Sequence, residues 1–225
     1  MNSYCEPFDD GLKKIKHFKR YPEMLPHVGV HYAKRHPGLL LIAESNYLPD
    51  DSTVHMSANG WYSGKSARLS KEEREWIHCR DIIGSGCNQT WPSRGHKIYN
   101  NIETALIDAG TPWCENMFST VAFMNCFQRP GQKGESLKIE PLDRDVSIQV
   151  IRETICIIRP KMVCFTSSLA WDAVGRHLLD ASEGKIIFEH TPHPGCFWWY
   201  RQSKRGIGRT IFIDFAKRWL ADGTL

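Results

Sequence analysis

The chain has 225 residues, 41% of them hydrophobic, and a formal net charge of +4. That suits one large domain, or at most two, with a full apolar core. It excludes a membrane-spanning segment, because no uninterrupted apolar stretch approaches the ~18 residues one needs, and the charge is below the level that alone implies nucleic acid.

In chain order, residues 1–35 read as an N-terminal extension packed on the main domain. They lack the apolar middle of a signal peptide, so residence in the cytosol (a cytoplasmic protein) is expected. Lys13, Lys14, Lys16, Lys19 and Arg20 read as a solvated face. GLLLIAE (38–44) is short and continuously apolar, and reads as a buried strand. Residues 45–69 have no clear period and contain Pro49, Gly60 and Gly64. A loop that long in a compact domain is usually functional, and this one is expected to face substrate.

SKEEREWIHCRDII (70–83) predicts a helix opened by a capping box, Ser70 with Glu73 three residues on. HKIYNNIETALIDAG (96–110) predicts another, ended by Gly110. STVAFMNCF (119–127) reads as the second strand. RDVSIQVIRETICIIRP (144–160) spaces Val146, Val150, Ile151, Ile155 and Ile158 along one helical face and stops at a proline. PKMVCFTSS (160–168) is the third strand, SLAWDAVGRHLLD (168–180) a helix, KIIFEHT (185–191) the fourth strand, and GRTIFIDFAKRWLADG (208–223) the last helix.

Strands that are apolar throughout are covered on both faces, as in parallel sheets. Strands alternating with helices imply βαβ crossovers. The expected fold class is therefore α/β: three layers, α/β/α, around a central, mainly parallel sheet of about four strands, in a single domain over 1–225. The eight cysteines include no Cys-x-x-Cys pair, so zinc-ribbon and iron–sulfur spacings are absent. Cys126, Cys156 and Cys164 lie in apolar runs, where a free thiol acts as a small core residue. A disulfide scaffold is not expected.

Ligands of open α/β sheets bind beyond the carboxyl ends of the strands. The four strands end in Glu44-Ser45-Asn46-Tyr47, in Asn125-Cys126-Phe127, in Thr166-Ser167-Ser168 and in His190-Thr191-Pro192-His193-Pro194. Ser167 and Ser168 read as caps of the helix they precede, but four polar strand ends together imply a polar crevice. The last of them opens HTPHPGCFWWYR (190–201), where two histidines and two prolines are followed by Phe197, Trp198, Trp199 and Tyr200, and then by Arg201, Lys204, Arg205 and Arg209. Metal binding by His190 and His193 is not expected, since Pro192 forbids a helix and no third ligand clusters nearby.

These segments, in this order, resemble the uracil-DNA glycosylase superfamily. VAFMNCFQRPGQKGES (121–136) is similar to its strand–Asn segment with Arg-Pro-Pro-Gly. PKMVCFTSSLAWDAV (160–174) is similar to its Pro-Lys–strand segment. GWYSGKS (60–66) resembles the piece that carries a base-stacking aromatic, and HPGCFWWYR (193–201) its His-Pro-Ser loop. The resemblance covers roughly residues 38 to 201.

It implies a base flipped out of DNA into a pocket, Tyr62 (or neighbouring Trp61) stacking on it, and Asn125 reading its edge. His193 would stabilise the departing base. Glu44 would position water or steady the sugar cation. Ser45, Asn46 and Tyr47 would complete the base pocket. Phe197, Trp198, Arg201, Lys204 and Arg205 would meet DNA. It implies DNA as partner, no metal, no cofactor, no membrane, and a monomer. The chain departs from the superfamily at Ala43, where Gly is usual, at Ser45-Asn46, where Asp, Asn or Ala precedes Pro, and at Gly195, where Ser is usual. Either Glu44 or Asn46 then activates water, or the chain is a non-catalytic nucleotide or nucleic-acid binding module. No Gly-x-Ser-x-Gly elbow supports a small-molecule hydrolase.

Overall fold

The computed structural model describes residues 4–64, 68–89, 91, 96–112, 116–182 and 184–222. Among them, β1 (His27–Val28), β2 (Leu39–Leu48), β3 (Ala122–Gln132), β4 (Met162–Phe165) and β5 (Ile187–His190) form one sheet in the order β1-β3-β2-β4-β5. The four longer strands are mutually parallel, and β1 is antiparallel to β3 at one edge. The molecule is thus α/β, but its sheet is mixed and five-stranded rather than four-stranded. The added strand comes from the N-terminal segment, which does more than pack on the domain: His27 and Val28 pair with Phe123 and Ala122.

The helices are α1 (Asp9–Leu12), α2 (Lys16–Arg20), α3 (Ala58–Ser63), α4 (Lys71–Ile77), α5 (Cys79–Gln89), α6 (Lys97–Asp108), α7 (Pro141–Ile158), α8 (Ser168–Ala170), α9 (Arg176–Ala181) and α10 (Gly208–Ala221), with a π-helical turn (Trp171–Gly175) joining α8 to α9. Successive strand residues face opposite ways. Leu40, Ile42, Met124, Val163 and Phe165 join one apolar cluster with Leu12, Phe18, Val150, Ile151 and Val174. Leu39, Leu41, Phe123, Met162 and Cys164 join a second with Ile83, Ile102, Leu106, Phe212 and Phe215. Both faces of the sheet are therefore covered by helices.

Local chemistry sets the element ends. The Ser70–Glu73 capping box forms, with Glu73 N–H donating to Ser70 Oγ at 3.1 Å and Ser70 N–H to Glu73 Oε2 at 2.7 Å. The helix expected over 70–83 breaks at His78, whose Nδ1 accepts from Asp81 N–H at 3.2 Å and so satisfies a first-turn donor of α5. Gly110, at φ +92°, ends α6. On α7 the buried stripe is Asp143, Ser147, Val150, Ile151, Thr154 and Ile158. Val146 and Ile155 are half-buried and Cys156 is exposed, which corrects the core reading of that cysteine. Cys126 and Cys164 are buried as expected.

The stretch 45–69 is more ordered than expected, since β2 continues to Leu48 and α3 occupies 58–63. Lys65 and Ser66 of the GWYSGKS segment lie outside the described residues. Under this stretch runs a buried ion pair. Arg129 Nε donates to Asp143 Oδ1 at 2.9 Å and its Nη2 to Oδ2 at 2.5 Å. Arg129 also donates to the carbonyls of His55 and Lys138, and Asp143, fully buried, accepts from Tyr62 Oη and Glu140 N–H. Breaking one partner of such a pair leaves a buried charge uncompensated. Asp143→Asn should cost about 3–5 kcal/mol, read as a lowered urea midpoint with unchanged slope.

Candidate active site

The site follows from strands of unequal length. β4 pairs with β2 only as far as Phe165 opposite Ile42, while β2 and β3 run on to Leu48 and Gln132. Between the pairs Ser45↔Phe127 and Tyr47↔Gly131, β3 takes up extra residues as a bulge. Pro130, which cannot donate to a ladder, lies there. The Gln128 side chain supports the bulge by donating to the carbonyls of Asn125 and Cys126 at 2.8 and 3.1 Å.

Beyond the end of β4 opens a cleft of about 440 Å³, lined by Glu44, Ser45, Asn46 and Tyr47 from β2, Asn125 from β3 and His193 from the loop after β5. These six expected site residues therefore meet, although they come from three separate parts of the chain. Glu44 Oε2 accepts from Ser167 Oγ at 2.6 Å. Ser167 Oγ also accepts from Ala170 N–H, as the expected cap of α8, so its one proton is directed at Glu44. Asn125 Nδ2 donates to Asn46 Oδ1 at 2.8 Å, joining the two amides into one polar floor. Ser45 Oγ is buried with no hydrogen-bond partner.

His193 is oriented by its own loop. Gly195 N–H donates to its Nδ1 at 3.2 Å. Nδ1 is then the acceptor, and in the neutral ring the proton sits on Nε2. Burial pushes the His193 pKa below its ordinary 6.5, against the upward pull of the nearby Glu44 carboxylate. The Gly195 departure has a steric reason. A Cβ there would lie 3.2 Å from His193 Nδ1 and 3.5 Å from Ile98 Cγ1, so a serine would press on the imidazole that the glycine supports.

Two anchors hold the 190–201 loop. Trp199 is fully buried in the second cluster, and Asn101 donates to the Pro194 carbonyl and accepts from Tyr200 Oη, both at 2.7 Å. Phe197 and Trp198 instead project, 65% and 49% exposed. The Arg201 guanidinium lies 5.6 Å from the Phe197 ring centre, and Lys204 is exposed. Arg205 is differently placed, since it bonds His190 and donates to Glu189 Oε1 at 3.3 Å, a carboxylate it shares with Arg218. His190 stacks on Trp171, with ring centres 4.6 Å apart.

Tyr62 does not join the cleft. It belongs to the first cluster's side of the sheet, and its hydroxyl donates to Asp143 Oδ1 at 3.0 Å. Trp61 is wholly buried, stacked on Tyr21 and bonded to the Gln128 carbonyl. Both stacking expectations are therefore corrected: these rings pack the interior behind the β2–β3 extension. The aromatics that do line the cleft are Tyr47, Trp76, His96, Tyr99 and Phe123, with Ile82 and Ile98. One signal could have found two of them. A helix that leads into a parallel strand starts over the carboxyl edge of the sheet, which puts the first turn of α6, with Ile98 and Tyr99, at the crevice.

Among the described residues, no three His, Cys, Asp or Glu side chains group so as to hold a metal ion, and no helix is long and apolar enough to cross a membrane. Asn101→Ala should leave the Pro194 carbonyl and Tyr200 hydroxyl without their partner, at about 1–3 kcal/mol. Hydrogen exchange should then quicken over 194–201 and stay unchanged in α7. A scan against protein-family models and a search of curated proteins find no match to the chain.

Proposed function

We propose that the chain is a monofunctional DNA glycosylase of the uracil-DNA glycosylase type, a three-layer α/β/α domain that hydrolyses the N-glycosidic bond of uracil or another damaged base. The observation that carries this reading is the meeting of Glu44, Asn125 and His193 in one cleft from three separate strand ends. A flipped base enters the cleft and stacks on one of its aromatic walls, Trp76, Tyr99 or Tyr47. The Asn125 amide offers a donor and an acceptor to a uracil-like edge, and Asn46 fixes its orientation.

The C1′–N bond then breaks with its electron pair leaving on the base. His193 Nε2–H donates to the base oxygen where negative charge grows, and a neutral imidazole is the suitable donor. The Glu44 carboxylate steadies the sugar cation and takes a proton from the water that adds at C1′. Ser167 acts through Glu44 as a positioning residue. The chemistry needs no metal or cofactor. Phe197 and Trp198 are exposed rings of the kind that wedge between base steps, and Arg201 and Lys204 would meet phosphates.

One feature favours a second reading. Ser45 and a paired Asn46 stand where Asp, Asn or Ala before Pro is usual, which suits a binding module that does not cut. Incubation with single- and double-stranded oligonucleotides carrying uracil, hypoxanthine or oxidised pyrimidines, followed by alkali, separates the two. The enzyme reading expects strand breaks, reduced about 10²–10³-fold by His193→Ala and comparably by Glu44→Gln. Salt-sensitive binding without breaks on any substrate favours the binding module. Absence of both binding and breaks excludes both readings.

A further inference from the structure

At the opposite edge of the sheet, before the amino ends of β2 and β3, lies a separate cavity of about 220 Å³. It is lined by His31, Arg35, His36, Thr111, Thr120 and Trp219, with Pro112. Three of these side chains are basic and two carry hydroxyls, and no carboxylate is among the described lining residues. β2 alone puts about 17 Å between this cavity and Glu44, at ~3.3 Å per residue. The two sites are thus distinct.

The walls are held in place. Trp219 Nε1 donates to the Pro37 carbonyl at 2.6 Å, and the His36 ring meets Trp219 edge-on at 5.4 Å. His31 N–H donates to the Ser119 carbonyl at 2.7 Å, and Thr111 N–H to that of Leu106 at 3.2 Å. Between His31 and Arg35 the chain turns through Ala33 at φ +53°, a conformation costly for a residue with a side chain. Two buried polar atoms in this wall lack partners, Thr111 Oγ1 and His36 Nδ1, and Thr111 itself is only 6% exposed.

We infer that this cavity binds a phosphate group, held by Arg35, His31 and His36, with at most one small ring seated against Trp219 and Pro112. Arginine and histidine supply charge-assisted donors to an oxyanion. The volume sets what sits inside, since sites for drug-sized molecules run from about 300 to 1,000 Å³, so any further part of a larger ligand lies outside the cavity. The phosphate belongs either to a small metabolite or to the end of a nucleic-acid strand.

Titration of the full chain with inorganic phosphate and with phenyl phosphate, followed by ³¹P line broadening and calorimetry, tests this. Phenyl phosphate should bind more tightly than phosphate alone. The Arg35→Gln/His36→Gln double variant, altered only at exposed and half-buried positions, should bind it about tenfold or more weakly. Asn125→Ala, altered at the other end of the sheet, should bind it as the parent does. Competition by a 5′-phosphorylated oligonucleotide but not by its unphosphorylated twin would assign the phosphate to a strand end, and competition by neither would assign it to a small molecule. No binding of either probe, or equal binding by the double variant, would overturn the inference.

Discussion

The step in the sheet, where β4 stops and β2 and β3 continue, is the constraint on which the rest depends. It leaves Glu44 without a strand on the β4 side and brings Ser167 within hydrogen-bonding reach of it. It also frees the face on which Asn125 and Asn46 pair. The bulge that contains Pro130 lets the extension run on past the end of β4, and the Arg129–Asp143 pair and Trp61 brace it from behind. Cleft geometry and fold stability therefore share one substructure. The polar cleft is tolerable because its groups pair with one another and with Ser167.

Much of the fold was legible because its signals are local. The apolar runs marked β2, β3, β4 and β5, and the capping box and Gly110 marked helix ends. What escaped depended on distant partners. β1 has two residues and no apolar run of its own, and it is a strand only because β3 has a free edge beside it. The break at His78 depends on a side-chain cap that propensity does not reveal. The α7 stripe passes through Ser147 and Thr154, which periodicity of apolar residues passes over.

The site was legible to the extent that strand ends determine it. Glu44, Asn125 and His193 follow their strands directly, so the rule for open α/β sheets places them. The ring that would stack on a base was not legible by position. Tyr62 and Trp61 occupy the matching segment, but α3 turns them into the first cluster, and the cleft takes its aromatic walls from β2, β3, α4 and α6 instead. Arg205, read as a phosphate contact, pairs with Glu189 together with Arg218, a grouping within the fold that charge counting along the chain does not register.

The proposed chemistry requires His193 to stand in the cleft as a neutral imidazole with its proton on Nε2. A ¹⁵N-edited NMR titration of the imidazole tests it directly. Because burial opposes the charged form more than Glu44 favours it, the ring should remain neutral as pH falls through 6.5 and take up its proton only below that value, with Nε2–H the dominant neutral tautomer throughout. A midpoint above 6.5, or a neutral ring protonated on Nδ1, would contradict the account.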